Sequence, residues 1–263
     1  MSIKTKKHTD CHPVSFQVAS DLHIEHIGGD PDPFDFITPS APLLILAGDI
    51  GSLYHINQLQ NFLKKLCGAF EAVCYVPGNY EFYTWKTSHP VSMDILLKRL
   101  HCIAEKIPNL YILNRSSIKI GNVCIAGCTL WSDPLIKIPK YLVRINNMDN
   151  SLYKSLHDRD LRYIEKMISY CAKKRMKLVM VTHHVPTFKV MPSNRRRRDL
   201  DFSSLYATNL ESLLQSNISA WICGHIHRNF DEIVGSTRLV GNQKGKPKDK
   251  ITDYEMKKIV TIV

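Results

Sequence analysis

Five short apolar stretches of the chain each end in a small polar cluster. Residues 14–19 run into Ser20-Asp21-Leu22-His23, 43–47 into Gly48-Asp49, and 72–77 into Gly78-Asn79-Tyr80-Glu81. Residues 178–181 run into Thr182-His183-His184, and 220–223 into Gly224-His225-Ile226-His227. Apolar runs of this length are consistent with strands buried on both faces. In open α/β sheets ligands gather outside the carboxyl ends of the strands, so the five clusters are expected on one rim.

Between these runs the apolar spacing changes to that of helices. Leu59, Phe62, Leu63 and Leu66 share one face of a helix expected over 55–69. Met93, Leu96, Leu97, Leu100 and Ile103 do so for 91–107, which Pro108 closes. Leu161, Ile164, Met167 and Ile168 mark a third helix over 155–175, with Asp158 and Asp160 toward its positive end. A short helix is expected over 209–215. Gly121-Asn122 is a turn pair between strands 117–120 and 123–126, a hairpin. The stretches 232–234, 238–240 and 258–262 read as antiparallel strands closing the sheet. Strands alternating with helices predict an α/β fold.

A chain of 263 residues with 44% hydrophobic content can bury one full core. One domain spanning 1–263 is expected, with flexible basic segments at 1–12 and 243–252. No run approaches the roughly 18 apolar residues of a membrane helix, and the N-terminus lacks the apolar stretch of a signal peptide. An intracellular protein, cytoplasmic or nuclear, is therefore expected. Cys74, Cys124 and Cys223 lie inside apolar runs, which reads as buried free thiols rather than a disulfide framework.

The net charge of +11 is clumped at 4–7, at Arg195, Arg196, Arg197 and Arg198, at 244–250 and at Lys257-Lys258. Such a balance suits polyanionic substrates, because Lys and Arg replace counterions on phosphate, whereas charge runs near termini are usually only solvated. The four arginines follow closely on the His183 segment. They are candidates for gripping an anionic substrate through bidentate guanidinium forks, the alternatives being a surface loop or a nuclear-import patch.

Asp21, His23, Asp49, Asn79, His183, His225 and His227 together offer carboxylates, imidazoles and one carboxamide. That set suits Mn, Fe, Zn or Co better than Ca or Mg. Two such ions held close together clamp the attacking and leaving oxygens of an in-line displacement at phosphorus. In order along the chain, the five polar clusters resemble the five signatures of the calcineurin-like metallophosphoesterase superfamily. The stretches 76–79 and 127–133 are similar to those of its small single-domain members.

This resemblance implies a two-sheet α/β sandwich flanked by helices, with two divalent metal ions on its rim. Asp21, His23, Asp49 and His227 would hold the first, and Asp49, Asn79, His183 and His225 the second. Asp49 would bridge, and a metal-bound hydroxide would be the nucleophile. Neighbours in a strand point to opposite faces, so only one of His183 and His184 easily faces the metals; alternation and the resemblance favour His183. Tyr80 stands where the family usually has a histidine beside the phosphate. Its hydroxyl can donate a hydrogen bond, but with an ordinary pKa of about 10 it is a poorer proton source; packing beside Phe82 and Tyr83 is the other reading.

The expected activity is a metal-dependent phosphoesterase, foremost a diesterase on nucleotide or nucleic-acid-derived substrates, with no membrane partner. The alternative is a phosphomonoesterase or protein phosphatase. A non-catalytic interaction module that kept the fold is the reading from a different class.

Overall fold

The computed structural model of the chain describes residues 13–84, 88–192 and 200–263. Strands β1 (Val14–Ala19), β2 (Leu43–Ala47), β3 (Ala72–Val76) and β4 (Leu110–Ile112) lie side by side in parallel, and β11 (Ile259–Ile262) closes the far edge antiparallel to β1. The second sheet runs β5 (Ser116–Ile120), β6 (Val123–Cys128), β7 (Lys177–Thr182), β8 (Ile218–Ile222), β10 (Thr237–Gly241) and β9 (Phe230–Val234). The two sheets stack as a sandwich with helices outside, the α/β architecture expected.

Strand alternation divides the core into layers. Phe16, Val18, Ile45, Cys74 and Val76 of the first sheet meet Ile125, Val179, Val181, Ala220 and Ile222 of the second between the sheets. Leu44, Leu46, Val73 and Tyr75 point the other way, under α1 (Ile56–Cys67) and α2 (Met93–Glu105). Ala126, Leu178, Met180 and Trp221 pack under α3 (Asn150–Lys173). Strands covered on both faces need apolar residues at every position, which is why they appear as runs rather than as alternation. Among the described residues Cys67, Cys74, Cys124, Cys128, Cys171 and Cys223 are buried free thiols and Cys102 is exposed.

Several boundaries differ from expectation. Helix α3 begins earlier, where Asp149 caps Leu152 N at 2.8 Å and Tyr153 and Leu156 are buried. The 209–215 stretch forms only a 3-10 turn at Leu213–Gln215. β4 has no counterpart among the expected strands. The last three strands do not close one sheet: β10 pairs parallel to β8, while β11 crosses to the first sheet. Among the described residues no helix is long and apolar enough to cross a membrane.

Candidate metal centre

Each polar cluster follows directly on a strand, so the sandwich delivers all five to one rim. Their backbones are unusual. Asp21 (φ 54°), His23 (φ 50°), Asp49 (φ 54°), His225 (φ 73°) and His227 (φ 50°) are all left-handed without being glycine. Such residues cost free energy and persist only where their surroundings over-determine them. Here the loops determine one another: Asp21 N donates to Gly48 O (2.9 Å), His23 N to Asp49 O (3.0 Å) and Gly224 N to His183 O (2.9 Å). Ser20 Oγ and His225 N donate to the Asp21 carboxylate at 2.6 and 3.0 Å. A Cβ on residue 224 would lie 2.6 Å from Asp21 Oδ2, so only glycine fits there.

The side chains converge in two groups, Asp21 with His23 and His227, and Asp49 with His183 and His225, the candidate donor atoms within each lying within 4.8 Å of one another. His23 Nε2 is 3.1 Å from His227 Nε2, which is 3.3 Å from Asp21 Oδ1. In the second group His183 Nε2 is 2.9 Å from Asn79 Oδ1 and 3.1 Å from His225 Nδ1. Asp49 Oδ2 lies 3.3 Å from His183 Nε2 and 3.8 Å from His23 Nε2, facing both groups.

The outer nitrogens of three imidazoles are already committed. His183 Nδ1 meets Ala47 O at 2.9 Å, His23 Nδ1 meets Glu25 Oε1 at 2.9 Å, and His227 Nδ1 meets Asp249 Oδ2 at 2.6 Å. An acceptor on one ring nitrogen places the N–H there and leaves the inner nitrogen as a lone-pair donor, the arrangement metal-binding histidines use. Buried carboxylate oxygens and imidazole lone pairs aimed at common points fit divalent cations.

Protons compete for the same positions. Burial pulls His183 down, but Asp49 beside it lifts its pKa to about 9. For His227 burial again lowers, and its bonds to Asp21 and Asp249 lift it to about 9. Burial would raise Asp49, yet His183, His23 and the Tyr80 N–H hold it well below the usual carboxylate range. Imidazoles raised from 6.5 stabilise the metal-free fold fully below pH 6.5 and lose that contribution as pH rises through about 9. Divalent-metal affinity should accordingly strengthen between pH 6.5 and 9, with proton release. Calorimetric titration in buffers of different ionisation enthalpy reads this directly, and an affinity flat across that window would contradict it.

Glu81 holds two of the loops together. Its buried carboxylate accepts from Asp49 N (3.0 Å), Ile50 N (2.7 Å) and Gly78 N (2.7 Å), and from the Tyr75 hydroxyl (2.5 Å). Burial and the Asp49 charge push its pKa up to about 8, against the pull of those donors.

The sequence profile of the calcineurin-like phosphoesterase family matches residues 14–229, which contain all seven of these candidate donors. The chain belongs to this family. It is thereby a metal-dependent phosphoric ester hydrolase. It is also similar to an uncharacterized protein of Acanthamoeba polyphaga mimivirus, 25% identical over 256 positions covering 86% of this chain and 89% of the relative. In fold it is similar to the phosphopantetheinyl hydrolase of Mycobacterium tuberculosis, with a TM-score of 0.64, 16% identity and 95% of both chains covered. A dimetal phosphatase from Danio rerio matches with a TM-score of 0.50 and 13% identity, over 87% of this chain and 86% of that one.

Two residues of the polar clusters in this calcineurin-like phosphoesterase, His184 and Tyr80, stand apart from the seven candidate donors. His184 is in neither donor group; its Nδ1 is 3.5 Å from Thr129 O, its ring lies 4.0 Å from that of His225, and burial and His183 push its pKa down to about 3. The Tyr80 ring stacks on Tyr83 at 4.4 Å and meets His23 edge-on at 4.7 Å, while its backbone N–H donates to Asp49 Oδ1 at 2.8 Å. Burial and the Asp49 charge push its phenol well above 10, which removes it further from proton donation.

Segment 243–252, expected to be flexible, is instead built into the rim. Gln243 Oε1 accepts from His227 N at 2.7 Å, Asp249 Oδ2 bonds His227 Nδ1 and accepts from Lys246 N at 2.8 Å, and Lys246 Nζ donates to the Tyr80 hydroxyl. The segment's acidic member and its glutamine are satisfied by the site, which anchors a stretch that composition alone assigns to solvent. Glu25, Asp249 and Lys246 are the residues sequence reasoning did not place. Arg195, Arg196, Arg197 and Arg198 lie outside the described residues.

Proposed function

We propose that this chain is a dinuclear phosphoesterase whose foremost substrates are phosphodiesters of nucleotide or nucleic-acid origin. The observation that carries the two-ion reading is Asp49 Oδ2, set between His183 Nε2 at 3.3 Å and His23 Nε2 at 3.8 Å. Asp21, His23, His227 and Asp49 would hold one ion, and Asp49, Asn79, His183 and His225 the other. Mn, Fe or Zn suits that mixture of imidazole and carboxylate. Bound there, two divalent cations would lower the pKa of a coordinated water and neutralise charge at phosphorus.

The chain's own residues supply the rest. Glu25, Asp249 and the Ala47 carbonyl fix the imidazole tautomers. A cavity of about 230 Å³ opens beside Asp49, walled by Asn79, Tyr80, Trp131, Tyr206 and Lys246. Its cation and aromatic rings support an anionic substrate carrying a planar group, and the net charge of +11 supports polyanions. A phosphomonoesterase is the second reading, favoured by Lys246 and Lys248 both lining this cavity, since two ammonium groups suit a phosphate dianion.

The discriminating experiment compares bis(4-nitrophenyl) phosphate with 4-nitrophenyl phosphate on Mn-loaded protein. A higher kcat/KM on the diester is expected. Exclusive cleavage of the monoester would overturn the diesterase assignment in favour of the second reading.

A further inference from the structure

The cavity wall carries a cation that none of the five signatures contains. Lys246 is half-buried, 166 positions from Tyr80 in sequence, and its Nζ donates to the Tyr80 hydroxyl and sits 3.7 Å from the ring centroid. Among the described residues it forms no ion pair, whereas the neighbouring acids Glu25 and Asp249 are each taken up by an imidazole. Asp49, Asp249, Glu25 and Asp21 attract this ammonium from a distance, but burial outweighs them, and at a half-buried site an anionic ligand oxygen is held more strongly than by an exposed lysine.

Its position relative to the cavities gives it a direction. Lys246, Tyr80, Tyr83, Leu142 and Lys248 line both the 230 Å³ cavity beside Asp49 and an outer groove of about 490 Å³. The groove is walled further by His26, Tyr141 and Arg144. An ester whose phosphorus lies beside Asp49 and whose remainder extends into the groove would cross the strip shared by both, which Lys246 lines together with Tyr80, Tyr83, Leu142 and Lys248. In such a pose the ester oxygen, which joins the phosphorus to that remainder, would lie near this strip.

We propose that Lys246 is a catalytic residue whose ammonium stabilises the charge developing on the leaving oxygen as that oxygen departs into the outer groove, with Tyr80 as its positioning residue. This rests on the hydrolase reading above. In the hydrolysis a water oxygen bonds to phosphorus, the bond from phosphorus to the ester oxygen breaks, and its electron pair stays on that oxygen, which ends with one proton from the water. Lys246 is assigned the charge on that oxygen, not the proton. The contribution is greatest where most charge accumulates, on esters of weakly acidic alcohols.

The test is a series of aryl methyl phosphodiesters whose leaving phenols run from dinitrophenol to phenol, cleaved by metal-loaded parent, Lys246→Met and Lys246→Arg. Metal content and melting temperature are measured on each. Lys246→Met should lose on the order of 10²-fold in kcat/KM on the phenyl ester and less than about tenfold on the dinitrophenyl ester. The plot of log kcat/KM against leaving-group pKa therefore steepens, and Lys246→Arg should restore most of the shallower slope. A residue that merely holds segment 243–252 in place would lower melting temperature or metal content and reduce all esters alike. Equal losses across the series, or no loss, with the parent active would overturn the assignment while leaving the hydrolase reading intact. A metal-loaded parent inert on every ester would overturn both.

Discussion

Replacing Asp49 by alanine should abolish hydrolysis, lowering kcat/KM on an aryl diester on the order of 10³-fold or more. The Asp49 carboxylate has an oxygen that faces an imidazole of each donor group, 3.3 Å from His183 and 3.8 Å from His23. Without it each group keeps its imidazoles but has no shared anion to hold two cations close to one another. The positive charges would then repel across the gap with nothing between them.

The same variant should lose most of its stabilisation by metal. A ligand that binds only the folded state at one hundred times its Kd adds about 2.7 kcal/mol. Chelation should therefore lower the melting temperature of the parent by several degrees and leave that of Asp49→Ala nearly unchanged. The fold itself should survive, because Asp49 sits on a rim loop whose backbone is held by Glu81 and by His23 N. A variant that keeps activity within tenfold, or still gains the full metal-dependent shift, would refute the shared-ligand assignment.

Much of this arrangement is legible in the sequence because its signals are local. Buried parallel strands leave unbroken apolar runs, and the residues that finish them are next in the chain; β2 ends at Ala47 with its run, and β3 at Val76, one residue before its run ends. What escapes is set by distant contacts. β4 has three residues, too few for a pattern to distinguish it from a loop. β11 is recognisable as a strand, but alternation carries no information about its partner, and it joins β1 across the whole chain. Lys246 and Asp249 lie in a basic stretch that composition assigns to solvent. Their value comes from Tyr80 and His227, 166 and 22 positions away. Glu25 is nearer, two residues beyond His23, yet only the left-handed turn at His23 brings its carboxylate back to the ring.

Glu81 carries the second large effect, and its size should depend on metal. Its carboxylate accepts from three backbone N–H groups at 3.0 Å or less, Asp49 and Ile50 after β2 and Gly78 after β3, and also from Tyr75. Glu81→Gln keeps the shape but brings an N–H₂ to a ring of donors. At least one or two of them lose their acceptor, at about 1–3 kcal/mol each. In the metal-free protein burial and the Asp49 charge raise the Glu81 pKa from 4.5 to about 8. A carboxyl raised in this way stabilises the fold below pH 4.5 and loses that contribution as pH rises through about 8. In the metal-free protein burial and the Asp49 charge thus work against the charged form of Glu81, and an uncharged amide costs less there than where the Asp49 charge is offset. Cations bound at Asp49 would cancel the charge that raises the pKa and return Glu81 to the carboxylate that all of its donors favour. Urea unfolding should show Glu81→Gln costing about 3 kcal/mol in metal-loaded protein and clearly less after chelation. By linkage the difference must appear as weaker metal binding, on the order of 10–100-fold. An equal loss with and without metal would show that Glu81 serves the fold alone and leaves the ions unaffected.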